Sequence, residues 1–191
     1  MKKHVICIEA RPFAAFSNEQ LDRLAARPDA EILDCRGGTV DDPAFMARLQ
    51  RADIVISGND LHLDAALLDA LPNLRCVAKL GVGLDMIDIP AAVARDIIVC
   101  NTPGANDVAV AEHTFALLLE LCHRVGLHDR DVHSGGWAKA DCFTYWRTPQ
   151  MELAGKTMGI IGFGAIGKAV GRLARAFGMH VLAYNRSQSE E

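Results

Sequence analysis

Apolar residues in this chain fall into short runs, and the polar stretches between them carry helical spacing. The runs at 4–8, 31–35, 54–57, 76–80 and 97–100 predict strands, while 18–26, 42–51, 63–71 and 89–95 predict helices. Asn18 and Asp42 stand where helix caps belong, and Pro28, Pro72 and Pro90 punctuate the pattern. Continuously apolar strands alternating with helices imply a parallel sheet covered on both faces. The expected architecture for residues 1–101 is therefore an α/β domain with a flavodoxin-like strand count.

A segment punctuated by Pro103 and Gly104 follows, and then a long helix expected over 107–132. Its first turns carry Val108, Val110, Ala111, Phe115, Leu117, Leu118, Leu119, Leu121 and Cys122, which wrap nearly all round the axis. A surface helix shows one apolar stripe, so this pattern predicts burial between two domains or two subunits. Residues 133–151 read as irregular. Together 102–151 form a hinge, an interface helix and a connecting loop.

From residue 152 the pattern changes again. A buried strand is expected over 157–161, a helix over 165–177 and a second strand over 179–184. Between the first strand and the helix lies Gly162-Phe-Gly-Ala-Ile-Gly167. A G-x-G-x-x-G turn in that position is a dinucleotide-binding signature. Gly162 permits the tight turn, Gly164 lets backbone approach a pyrophosphate, and Gly167 lets helix and strand pack closely. The helix N-terminus contributes amide donors and a positive dipole. The bland alternative is a glycine turn that only packs a helix on a sheet. About a third of such a nucleotide domain fits before Glu191, so 152–191 is expected to be an incomplete Rossmann domain holding its first βαβ.

The second strand ends in Asn185, Arg186 and Ser187. A carboxylate about 20 residues past the glycine turn would bind ribose hydroxyls and repel a 2′-phosphate. An amide, a guanidinium and a hydroxyl suit a phosphate better, which favours NADP over NAD.

Composition excludes more than it assigns. The net charge of -4 and the absence of a Lys/Arg cluster argue against a nucleic-acid surface. The apolar run after Met1 is too short for a signal peptide, and 115–122, interrupted by Glu120, is too short for a membrane span. Six scattered cysteines without a C-x-x-C pair suggest a reduced, cytoplasmic protein, and no metal-ligand spacing is present.

Three segments in order carry a family resemblance: Ala78-Lys-Leu-Gly-Val-Gly-Leu-Asp-Met-Ile-Asp88, Asn101-Thr-Pro-Gly-Ala-Asn-Asp-Val-Ala-Val-Ala-Glu112, and Glu152-Leu-Ala-Gly-Lys-Thr-Met-Gly-Ile-Ile-Gly-Phe-Gly-Ala-Ile-Gly167. The chain resembles the N-terminal part of D-isomer-specific 2-hydroxyacid dehydrogenases. Residues 141–153 look most like the glycerate dehydrogenase/hydroxypyruvate reductase and phosphoglycerate dehydrogenase-like branches. The resemblance implies NAD(P)-dependent hydride transfer between nicotinamide and a 2-hydroxy or 2-keto acid. It implies that amides of Gly81, Val82 and Gly83 grip the substrate carboxylate, with Val82 near the nicotinamide. Ala165 and Ile166 would lie against the pyrophosphate, Val108 would touch the nicotinamide side, and 107–132 would be a homodimer helix.

The family's catalytic Arg, Glu and His correspond to positions beyond Glu191, so no catalytic residue is assigned, and the chain by itself is expected to be inactive. Glu112 and His113 are neighbours about 100° apart on a helix and form no dyad. The competing expectation is a catalytically inactive fragment that only dimerises. The two-strand piece from 152 onward is expected to be the least stable part.

Overall fold

The computed structural model describes residues 3–15 and 17–187; Met1 and Glu191, which bound the expected domains, lie outside them. The chain divides into two compact units, Met1–Ala105 and Asn106–Glu191.

In the first unit five parallel strands form one sheet: β1 (His4–Ile8), β2 (Ala30–Asp34), β3 (Ile54–Ser57), β4 (Cys76–Lys79) and β5 (Ile98–Cys100). Their spatial order is β2-β1-β3-β4-β5, the flavodoxin-like order. Four helices make the crossovers: α1 (Glu19–Ala25), α2 (Pro43–Leu49), α3 (Ala65–Asp69) and α4 (Ile89–Val93). One face of the sheet is fully buried, at Cys7, Val55 and Val77. On the other, Ile54, Ile56, Cys76 and Ala78 are only half-buried and Ile98 of β5 is exposed, so the cover expected on both faces is incomplete. Phe45, Leu49, Val55, Leu63 and Val77 are fully buried in its main core.

Local chemistry sets the helix starts. Asp42, Asp64 and Asp88 each cap the following helix, accepting hydrogen bonds from the N–H groups of Ala44 (2.9 Å), Leu67 (2.8 Å) and Ala91 (2.9 Å). The cap at Asp64 corrects the helix expected over 63–71. Leu63 stays extended, bridges to Ile87, and the helix begins only at Ala65. Asn18, the other expected cap, makes no side-chain capping bond.

The second unit holds α5 (Asp107–His123), α6 (Val125–His133), a short 3₁₀ turn at Trp137–Lys139, β6 (Thr157–Ile161), α7 (Ala165–Ala176) and β7 (His180–Tyr184). Strands β6 and β7 pair in parallel across the α7 crossover. Strand β6 is not the buried strand expected over 157–161: Met158 and Ile160 are half-buried toward the core, while Thr157, Gly159 and Ile161 are exposed. The single helix expected over 107–132 is not formed. Arg124 takes a left-handed conformation (φ 51°, ψ 44°) and ends α5. Its N–H closes on the carbonyl of Glu120 at 2.8 Å, and the Glu120 carboxylate accepts from the Gly126 N–H at 3.0 Å, where α6 begins. One glutamate thus stops one helix and starts the next.

Helix α5 buries a stripe rather than its whole circumference. Ala111, Phe115 and Cys122 are buried, with Leu118 and Leu119 partly so, at the i, i+4, i+7 spacing of one face. They pack with Leu153, Ala169, Val170, Ala174 and Met179, and the Phe115 ring stacks on Phe177 at 5.0 Å. Leu117 and Leu121 on the other side are exposed, as is Val108 at the N-terminal end of the packed face itself.

Candidate functional site

The glycine turn of the second unit is built from three distinct constraints. Gly162 has φ +90°, which favours glycine. Gly164 precedes α7, and a Cβ there would meet nothing within 4 Å, so the space before the turn is open. At Gly167 a Cβ would stand 2.3 Å from the Gly162 carbonyl oxygen, so helix and turn close only around glycine.

No side chain caps α7. Among the described residues, the N–H groups of Gly164, Ala165, Ile166 and Gly167 find no partner. Ala165 and Ile166 are exposed beside them. Four uncommitted amides at the positive end of a helix, reached through open space, fit a pyrophosphate.

Asn185 stands at the end of β7, where sequence placed it, but part of its work is internal. Its Oδ1 accepts a hydrogen bond from the Phe163 N–H at 2.6 Å, tying the strand end to the glycine turn. Arg186 and Ser187 follow, both exposed. The structure therefore brings Asn185 together with the 162–167 turn. Val108 lies in the first turn of α5 and is exposed.

In the first unit, Gly81, Val82 and Gly83 form the turn that leaves β4. Gly81 has φ +141°, and Val82 is exposed. The carbonyls of this turn are held from one side. Gly81 O accepts from the Thr102 N–H at 3.0 Å and the Thr102 hydroxyl at 3.1 Å, and Val82 O accepts from Asn101 Nδ2 at 2.8 Å. The Gly81 N–H, expected among the gripping amides, is instead taken by Lys79 O at 3.1 Å, while those of Val82 and Gly83 find no partner among the described residues. With the oxygens turned to protein, a turn of this kind offers donors to an anion. Asn101 and Thr102 had only been read as part of a Pro/Gly-punctuated segment; their amide and hydroxyl show their use once β5 lies beside β4.

Glu112 and His113 are both exposed on α5. Among the described residues, no group of three or more His, Cys, Asp or Glu is placed to hold a metal ion, and no helix is long and apolar enough to cross a membrane.

A flavodoxin-like sheet with a glycine turn of unpartnered amides and a βαβ unit with a G-x-G-x-x-G turn define an α/β protein. Comparison with known proteins is more specific. Residues 13–190 match the family model of the D-isomer specific 2-hydroxyacid dehydrogenase catalytic domain. The chain belongs to that family.

It is similar to a hydroxypyruvate reductase from Blautia hydrogenotrophica, with 39% identity over 150 residues, 78% of this chain and 46% of the relative. Among solved structures it is similar to a D-lactate dehydrogenase from Aquifex aeolicus complexed with NAD and lactic acid. There the identity is 28%, the TM-score 0.72, and coverage 98% of this chain and 53% of that one. An acyclic imino acid reductase in complex with NADPH and D-Arg gives 26% identity and a TM-score of 0.78, over 98% of this chain and 58% of that one. The chain spans about half the length of the curated relatives it matches.

Proposed function

We propose that this chain supplies the substrate-binding turn and the pyrophosphate-binding turn of an NADP-dependent oxidoreductase acting on a small 2-hydroxy or 2-keto acid. The observation that carries the reading is the set of four unpartnered amides at Gly164, Ala165, Ile166 and Gly167, at the uncapped start of α7. They bind the pyrophosphate through N–H groups and helix dipole. When bound, the nicotinamide supplies or accepts the hydride. The Val82 and Gly83 amides bind the substrate carboxylate and orient the carbon that reacts. Asn101 and Thr102 keep the oxygens of that turn away from the anion.

Hydride transfer at C2 also needs a group that holds the hydroxyl proton. In the family that the sequence resembles a His partnered by a Glu does this, while an Arg binds the substrate's carboxylate and carbonyl. An assay of the chain with hydroxypyruvate or glyoxylate and NADPH, followed by the loss of reduced nicotinamide, reads turnover directly.

Arg186 and Ser187 at the end of β7 favour the 2′-phosphate of NADP. Arg186→Ala should weaken NADPH binding by about 10- to 100-fold and leave NADH almost unchanged, because a charge-assisted hydrogen bond is worth about 1.5–3 kcal/mol. Equal weakening of both, measured by nicotinamide fluorescence, would assign the arginine to the solvated surface instead.

A second reading, a chain that only dimerises, is favoured by one observation. Leu117 and Leu121 stand 56% and 63% exposed, one turn apart on α5, with Val125 60% exposed at the start of α6. Apolar surface of this kind marks an interface. In the proposed enzyme the same surface makes the homodimer, and sedimentation of the chain with and without NADPH separates the two readings.

A further inference from the structure

Three polar residues are buried in the first unit: Glu9, Ser57 and Lys79, at 2%, 0% and 3% exposure. All three lie where β1, β3 and β4 end, and two carry ionisable groups. Burying such groups costs several kcal/mol unless each is hydrogen-bonded, so their partners show what they are for.

Those partners converge on one residue. Glu9 Oε2 accepts the Gly58 N–H at 2.8 Å. Lys79 Nζ donates to the Gly58 carbonyl, and also to Asn59 Oδ1 at 2.6 Å. The Ser57 hydroxyl reaches the same Gly58 carbonyl at 3.3 Å. Gly58 is itself closely packed, since a Cβ there would stand 3.1 Å from the Ala10 Cα and backbone would have to give by a few tenths of an ångström. The backbone after β3 is therefore gripped at its N–H from β1 and at its C=O from β4.

Lys79 is also the last residue of β4, and the anion-facing turn starts two residues later. The Leu80 N–H bonds to Ser57 O at 2.9 Å and the Gly81 N–H to Lys79 O at 3.1 Å. Thus the side chain of Lys79 is anchored behind the turn while its own carbonyl holds the turn's first amide.

We propose that Glu9 and Lys79 are positioning residues: by clamping Gly58 from two strands they fix the end of β4, and so present the Val82 and Gly83 amides in one orientation. The substrate consequence rests on the carboxylate role given above for those amides; the clamp itself does not. Burial drives the Glu9 carboxyl above its ordinary range and the Lys79 ammonium below its own, which accords with two groups held in place by geometry rather than by solvent. Neither group touches the substrate. Each acts through backbone, as supporting residues around a binding site do.

The test uses the 191-residue chain, with oxamate as the carboxylate probe, and reads ¹⁵N order parameters of the Val82 and Gly83 amides. Lys79→Met and Glu9→Ala should lower those order parameters from a rigid value of about 0.85 to below about 0.6, and weaken oxamate about tenfold. Glu9→Gln keeps an acceptor for the Gly58 N–H and should keep the order. Leu68→Ala, a core substitution in α3, should lower the melting temperature without loosening the turn. Should Lys79→Met fail to fold, Asn59→Ala removes one acceptor of the ammonium at an exposed position and should give a smaller loss of order in the same two amides. Unchanged order parameters in Lys79→Met, or in Asn59→Ala if that variant replaces it, overturn the proposal. Failure of the wild-type chain to bind oxamate would instead remove the carboxylate reading and leave the order parameters to decide the clamp.

Discussion

Gly167→Val should unfold the second unit or force α7 off its strand, at a cost of about 3 kcal/mol or more. The first new carbon would stand 2.3 Å from the Gly162 carbonyl oxygen, and Ile160 Cγ2 at 3.3 Å blocks retreat along the sheet. Overpacking by a methylene in a well-packed core costs about 1–3 kcal/mol, and here the obstacle is backbone, which cannot rotate away. Dinucleotide affinity should vanish with the fold. Gly164→Val provides the contrast. Its Cβ meets nothing within 4 Å, so the fold should survive and only the approach of a pyrophosphate should suffer. Hydrogen exchange at Ala169, Val170 and Ala174, together with NADPH binding, checks both variants. Full protection in Gly167→Val would show that the turn yields more than its geometry suggests.

Phe45→Ala should destabilise the first unit by about 3–5 kcal/mol, a large share of the 5–15 kcal/mol that holds an ordinary domain together. Phe45 is fully buried in α2, and its ring lies against Gly38, where a Cβ would stand 2.2 Å from Cδ2. Removing the ring leaves a space lined partly by backbone at Gly38, which has no side chain to fill it. Because Phe45 shares one core cluster with Cys7, Val55 and Val77 of the sheet, the loss should lower the melting temperature of the whole unit. Calorimetry that finds less than about 1 kcal/mol would mean that the site collapses around the alanine.

The strands were legible because a parallel strand between crossovers is written as a short apolar run, and β1, β3 and β6 begin and end where those runs do. The glycine turn was legible because each of its glycines answers a separate steric demand. Arg124 was not. An arginine in the left-handed region carries no local signal, and the break depends on Glu120 capping in both directions. Asn185 was found by its distance from the turn, but its bond to Phe163 required the strand pairing to be known. Glu9, Gly58 and Lys79 were hidden for the same reason. They are 49 and 21 residues apart along the chain, and only the β1-β3-β4 order makes them neighbours.

That strand order has a consequence for how the protein is made. Strand β1 is synthesised first yet lies inside the sheet, between β2 and β3. On the ribosome it can pair with β2 as soon as residue 34 emerges, but its other edge stays open until 54–57 follow. At about 5–20 residues per second that interval is about 1–5 s, during which Ile6, Cys7 and Ile8 offer an unpaired apolar edge to neighbouring nascent chains. Slow codons between 35 and 53 would lengthen the exposure, and fast ones would close the sheet sooner.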